Sequence, residues 1–174
     1  MIIITAVGAD RPGMVHAVAD VLWRAGYNIE DTTMTRLSGE FAMILIVSRP
    51  PQFETENLAQ RLAPLERSHG LFINCKEFSQ EPAAFSDLPR YILSVYGPDR
   101  RGLVARISGV LAEHNVNITD LQTRVASAGT VYVMIFEIEL PADLHVDTLQ
   151  AALEVAAHEL GVQLSLHPLE EETL

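Results

Sequence analysis

Two acidic residues, each followed at once by arginine and lying three positions before a glycine, are the side chains best placed to do chemistry. They stand in Asp10-Arg11-Pro12-Gly13 and in Asp99-Arg100-Arg101-Gly102. Gly13 permits close backbone approach, and a helix starting near Pro12 offers unpaired N–H groups and the positive end of its dipole. A carboxylate suits that position. The carboxylates of Asp10 and Asp31 suit an ammonium group, and Asn28 carries both a donor and an acceptor. A free amino acid bears an ammonium and a carboxylate one carbon apart. The same residues also suit a role without any ligand, with Asp10 capping the helix, Gly13 admitting helix packing and Asn28 holding a turn.

The pattern occurs twice. The stretch from Gly8 to Asp31 returns 89 positions later as Gly97 to Asp120, without a gap. Val21-Leu22 meets Val110-Leu111, and Asn28-Ile29-Glu30-Asp31 meets Asn117-Ile118-Thr119-Asp120. About ten identities, spread over glycines, charges and apolar positions, are more than shared helicity supplies. The chain therefore reads as a duplicated domain, and two copies are too few for a solenoid, so each half needs its own core.

The elements that must hold these residues are legible from periodicity. Residues 2–7 are β-branched and end at Gly8, which predicts a strand. Met14, Val15, Val18, Val21 and Leu22 recur at helical spacing until Gly26, and Leu103, Val104, Ile107, Val110 and Leu111 repeat the stripe. An extended stretch from Asn28 to Leu37, a turn at Ser38-Gly39-Glu40 and the apolar run 41–47 predict a hairpin. Its counterpart runs from 117 to 125, turns around Ala128-Gly129 and returns over 131–140. Pro50-Pro51 and Pro141 end these third strands.

A second helix is expected over 55–69, distorted or shortened by Pro64, with Leu58, Leu62 and Leu65 inward. Its counterpart spans 146–160, with Leu149, Ala152, Leu153 and Ala156 inward. Final strands follow at 71–78 and 162–167. Each half is then βαββαβ, and the class is α+β: two ferredoxin-like units, each a four-stranded antiparallel sheet with both helices on one face. The domains are expected at 1–78 and 89–168, with a linker at 79–88 and an acidic tail at 169–174. The runs 41–47 and 131–136 are too continuously apolar for a sheet with one wet face, so a cover on the second face is expected, from the two halves or from two chains.

Composition narrows the class of partner. Hydrophobic residues make up 48% and charged residues 20%, enough for two small cores. The net charge of −11 disfavours a phosphate backbone or an anionic membrane surface. The opening residues carry no basic leader or long apolar stretch, which points to the cytoplasm. Cys75 is the one cysteine, so no intrachain disulfide forms, and with no base beside it in sequence it reads as a core thiol. His16, His69, His114, His145, His158 and His167 lack metal-ligand spacing, and no dinucleotide or phosphate-loop fingerprint is present, so neither metal nor cofactor is expected. Trp23 and Tyr27 suit packing or interface anchors. Arg101, standing where the first copy has Pro12, reads as a solvated side chain.

These residues resemble the ACT domain, a small βαββαβ module named for regulatory regions of amino-acid enzymes that often binds amino acids where paired modules meet. The resemblance rests on the D-R-P-G-like loop, the apolar helix and the Asn-Ile opening of the second strand, and spans nearly the whole chain. Two such modules in tandem resemble the family of the glycine cleavage system transcriptional repressor, understood to act through a DNA-binding partner protein rather than on DNA itself. In serine-sensing members, the residue before Arg-Pro-Gly and the asparagine opening the second strand hold the effector.

Carried over, those positions are Asp10 and Asn28, and Asp99 and Asn117. Gly8, Arg11, Pro12, Gly13, Ile29 and Asp31 complete the first candidate site, and Gly97, Arg100, Gly102, Ile118 and Asp120 the second. The serine sensors have an amide at the positions of Asp10 and Asp99 and a histidine at those of Gly8 and Gly97. A carboxylate in place of the amide favours a ligand's ammonium and opposes an acidic ligand side chain.

The expected function is a noncatalytic, amino-acid-responsive regulator, a homo-oligomer that binds a small glycine- or serine-like effector at module interfaces and modulates a transcription factor or enzyme. A ligand-free dimerisation or interaction module is the alternative. An acylphosphatase-like hydrolase is the third class, because that fold pairs a loop arginine with a strand asparagine, here Arg11 with Asn28. A carboxylate beside the phosphate position argues against it.

Overall fold

The β-branched opening run forms strand β1 (Ile2–Ala9), and Gly13 then turns the chain into helix α1 (Met14–Arg24). The computed structural model describes residues 1–49, 58–77, 88–126 and 131–169. They belong to two units, Met1–Ala84 and Phe85–Leu174. The first continues with β2 (Asn28–Leu37), β3 (Glu40–Ser48), α2 (Leu58–His69) and β4 (Phe72–Glu77). The second repeats the order as β5 (Arg90–Pro98), α3 (Leu103–Glu113), β6 (Asn117–Ala126), β7 (Val131–Glu139), α4 (Val146–Leu160) and β8 (Gln163–Pro168).

Each sheet is antiparallel throughout, in the orders β2-β3-β1-β4 and β6-β7-β5-β8. Because β1 and β2 both run antiparallel to β3, they run parallel to each other, and only a crossing helix can join them. The expected α+β, ferredoxin-like arrangement is the observed one. Pro50 and Pro51, the helix start at 55, Phe78, the linker residues 79–87, the turn at 128–129 and the tail beyond 169 lie outside the described residues.

Helix α1 begins two residues later than the proline suggests. Gly13 is its N-cap, in the left-handed region at φ 94°, and no side chain caps the first turn. Asp10 is therefore not a helix cap. At the other end Gly26 adopts φ 73°, and Tyr27 and Gly26 donate their N–H groups to the carbonyls of Leu22 and Trp23, the paired closure of a left-handed helix stop. Asn115 does the same for α3 at φ 55°, with Val116 donating to Leu111. Asparagine tolerates that conformation better than most residues, which is why the second copy dispenses with glycine there. Pro64 lies inside α2 without ending it, and the hydroxyl of Ser68 donates to its carbonyl at 2.9 Å.

Each unit has its own core. Met14, Val18 and Leu22 of α1 and Leu58, Leu62 and Leu65 of α2 pack on Ile2, Ile4, Phe41, Met43 and Leu45. In the second unit Leu103, Ile107 and Leu111 with Leu149 and Leu153 pack on Leu93, Val95, Met134 and Phe136. The apolar run of β3 divides by side: Phe41, Met43, Leu45 and Val47 are buried, while Ala42, Ile44 and Ile46 alternate onto the other face. Within the first unit that face is open, with Ile44 43% exposed and Phe72, opposite Val7 in the ladder, 72% exposed. Trp23 is also exposed rather than packed.

Two glycines are fixed by close approach. A Cβ on Gly8 would come within 2.6 Å of the Gly70 carbonyl oxygen, and one on Gly97 within 2.7 Å of a Val162 methyl. Leu22→Ala and its counterpart Leu111→Ala should each destabilise their own unit by about 2–5 kcal/mol, read by urea denaturation. Gly8→Ala should lower the melting temperature by forcing β1 away from the Gly70 turn, whereas Gly39→Ala, where a Cβ meets nothing within 4 Å, carries only the strain of its φ of 86°.

Candidate functional site

The left-handed Gly13 swings the Asp10–Gly13 loop away from β1 and leaves an open hollow between the start of α1 and the β2–β3 hairpin. Asp10, Arg11, Gly13, Met14, Val15, His16, Met34 and Phe41 line it, around a volume of about 450 Å³. The hairpin reaches the loop because Ser38 and Gly39 form a two-residue turn with positive φ at both positions, which keeps the twist of the flanking strands. Asp10 donates its N–H to Gly39 O at 2.8 Å, and its carboxylate accepts from Arg36 Nη1 at 3.4 Å. That exposed ion pair contributes little stability. It does place a cation against the carboxylate.

The second unit repeats the hollow at about 350 Å³, between Asp99, Arg100, Gly102, Leu103, Val104, Ala105 and Tyr132. Gly102 is the left-handed N-cap at φ 87°, again with no side-chain cap. The walls differ. Ala105 replaces His16, Tyr132 stands at the ladder position of Phe41, and Val125 stands at that of Arg36. Among the described residues Asp99 has no ion-pair partner, and Arg100 Nη1 donates instead to Leu160 O, at 3.2 Å, at the end of α4.

Each loop thus brings together its aspartate, arginine and glycine. Pro12 lies in the first loop, outside the hollow's lining, and Gly8 and Gly97 are set by the packing described above rather than facing it. The strand residues are elsewhere. Asn28 pairs with Ser48, whereas Ala9, next to the loop, pairs with Glu40 at the other end of β3. Eight ladder positions at ~3.3 Å put the two ends well over 20 Å apart. Within one unit Asn28, Ile29 and Asp31 therefore do not meet Asp10, and Asn117, Ile118 and Asp120 do not meet Asp99. Arg11 and Asn28 are separated in the same way, which removes the acylphosphatase-like pairing within a unit.

At its own end of the sheet, Asn28 donates Nδ2 to Glu30 Oε1 at 2.9 Å, and the Ser48 hydroxyl donates to the same oxygen. These two donors, Ser48 first and Asn28 second, hold the Glu30 carboxyl below the ordinary value of 4.5. Glu30 sits at the irregular step of the β2–β3 ladder, between Ile29 and Asp31. Its counterpart Thr119 occupies the same step in β6 and donates its hydroxyl to Glu137 O, while Asn117 turns to Glu139 at 3.1 Å. Asp31 accepts from the Thr32 N–H and Asp120 from the Gln122 amide. Cys75 packs against the first core, and burial pushes its thiol up, as suits a core thiol rather than a nucleophile.

Sequence reading missed Arg36, His16, Met34 and Phe41 as neighbours of the loop. The signal was present in the short Ser38-Gly39 turn, which brings Arg36 and Phe41 opposite each other beside Asp10.

Residues 1–76 and 90–167 both match the profile of the ACT domain. The glycine cleavage system transcriptional repressor of Escherichia coli is 27% identical over 172 residues, covering 95% of this chain and 88% of that protein. A crystal structure of a protein of unknown function from Galdieria sulphuraria superposes with a TM-score of 0.78 at 30% identity, over 97% of this chain and 98% of that one. A crystallised chain provisionally assigned as a glycine cleavage system transcriptional repressor superposes with a TM-score of 0.72 at 22% identity, over 98% of this chain and 97% of that one.

The folded pKa of Glu30 is the lower one, so its hydrogen bonds stabilise the start of β2 above the ordinary glutamate value. That contribution is lost as pH falls through the depressed value. A carbon-detected NMR titration should place the Glu30 midpoint below 4.5, and Asn28→Ala should move it back up.

Proposed function

Because the chain belongs to the ACT domain family, in two tandem copies, we propose that it is a noncatalytic regulator whose loop hollows take a small amino acid, glycine- or serine-like, and so alter its association with a protein partner such as a transcriptional regulator. The modules run over 1–78 and 89–168, joined by 79–88 and followed by the tail at 169–174. The observation that carries the reading is the repeated hollow. In both units a left-handed glycine starts the helix with no side chain capping its first turn, and an aspartate stands at the rim. Helix N–H groups suit a ligand's carboxylate and the aspartate suits its ammonium.

The relative named as a transcriptional repressor supports a regulatory role. The net charge of −11 supports a protein target rather than DNA, and a cytoplasmic setting follows from such a role. Binding can shift association only by its differential affinity for the free and partnered states.

A second reading, a homo-oligomerising interaction module that needs no ligand, is favoured by the exposed Val7, Ile44 and Phe72 on the open sheet face. Ile44→Lys should shift light-scattering mass toward the single chain without changing any heat of amino-acid binding.

Calorimetry of the full chain with the twenty amino acids at millimolar concentration tests the sensing role. At least one small amino acid should bind, and Asp10→Ala with Asp99→Ala should weaken it by about tenfold or more, the loss of a charge-assisted hydrogen bond. At a hundred times its dissociation constant such a ligand should stabilise the fold by about 2.7 kcal/mol. No heat and no thermal shift with any of the twenty refutes the sensing role and leaves the interaction module.

A further inference from the structure

The two hollows share a backbone but not a charge. In the first, Asp10 already faces Arg36, and Arg11 has no hydrogen-bond or ion-pair partner among the described residues. The surroundings of the first hollow thus hold two arginines, Arg11 in its lining and Arg36 paired with Asp10, for one aspartate, and His16 adds a ring nitrogen that donates in one tautomer or the other. In the second, Val125 removes the counterpart of Arg36, and Arg100 is drawn onto the Leu160 carbonyl and lies against Gly161. Among the described residues Asp99 has no ion-pair partner, and Arg101, which stands where the first loop has Pro12, lies outside the hollow's lining. Tyr132 and Ala105 supply neutral walls around the smaller volume.

We propose that the hollows select different effectors: the first takes an amino acid with a second carboxylate, aspartate- or glutamate-like, and the second takes a neutral small amino acid. The proposal rests on the amino-acid-sensing reading and confines its glycine- or serine-like ligand to the second hollow. A side-chain carboxylate entering the first hollow finds Arg11 unengaged, and the repulsion expected from Asp10 is offset by Arg36. The same group entering the second hollow meets the bare Asp99, with Arg100 held away from it. An uncharged side chain meets no such opposition there, and the ligand's ammonium pairs with Asp99 directly. Arg11, Arg36 and Arg100 are the residues that determine this split.

Calorimetry of the full chain with L-aspartate, L-glutamate, glycine and L-serine tests it, alongside Arg11→Met, Arg36→Val and Arg100→Met. One acidic ligand should bind per chain and weaken about tenfold or more in Arg11→Met, with the glycine or serine heat unchanged. Arg36→Val, which copies the second unit, should weaken the acidic ligand again, and Arg100→Met should leave it unaffected. Arg11 is an exposed loop residue without a partner among the described residues, so circular dichroism should show the fold of its variant intact.

Neutral ligands that bind while neither acid does would overturn the charge split and leave amino-acid sensing standing. Acid binding indifferent to Arg11→Met would overturn it too. Silence from all four ligands would also overturn the split, and whether sensing survives is then read from the other sixteen amino acids.

Discussion

The structure turns on a backbone conformation that only glycine adopts without strain. Gly13 at φ 94° and Gly102 at φ 87° sit between a sheet strand and a helix, where a chain of L-residues would run on into the first turn with a polar side chain folded back as a cap. The left-handed step removes that option. It leaves the first turns of α1 and α3 with no side-chain cap, and the preceding aspartate and arginine line the hollow beside them. The hollow is a consequence of this geometry. Any side chain at position 13 would bring local strain of about 1 kcal/mol or more, although a Cβ there would touch nothing.

The strand-to-helix loops share that backbone step and differ in their side chains, although four residues rather than two separate the paired ends of β6 and β7. Positions 36 and 125 occupy the same place in their ladders, yet one is arginine and the other valine. The arginines 11 and 100 are equivalent in sequence, but the end of α4 offers Arg100 the Leu160 carbonyl, and the turn glycine Gly161 leaves space beside it. A helix C-terminus carries partial negative charge, so a nearby guanidinium is drawn to it. At the sheet's other end, the carboxylate that engages the opening asparagine has moved from Glu30 on the same strand to Glu139 across the ladder. Duplication preserved the strand order and the left-handed helix start, and electrostatics was free to change.

Much of this was legible in the chain. Gly26 marks the end of α1 because it tolerates positive φ, and the 89-residue repeat announces two cores before any strand is assigned. Register was harder to read. Asp10 and Asn28 are close in sequence and read as one site, yet β1, α1 and β2 form a crossover that carries Asn28 back to the starting edge of the sheet. Eighteen residues of separation say nothing about that return until β1 and β2 are known to be parallel. Arg36 escaped notice for the opposite reason: it is far from Asp10 in sequence and adjacent only once the hairpin folds. The continuous apolar run of β3 was visible, but which half of it lies buried depends on which residues face α1 and α2.

The hollow of the first unit is bounded on one side by a helix rooted in the core and on the other by an edge strand. Helix α1 is fixed through Met14, Val18 and Leu22, which are all buried, so a ligand has little leverage on it. Strand β2 is exposed along its whole length and pairs on one side only, with β3. Elements with few buried contacts open at the lowest free energy, and β2 is such an element. Its tip is tied to the loop through the Asp10 N–H bond to Gly39 and the ion pair to Arg36. A ligand of the proposed kind would therefore act on β2 before it acted on the core. Under the proposed sensing role, the sheet edge rather than the helical face is where occupancy would be converted into a change that another molecule can read.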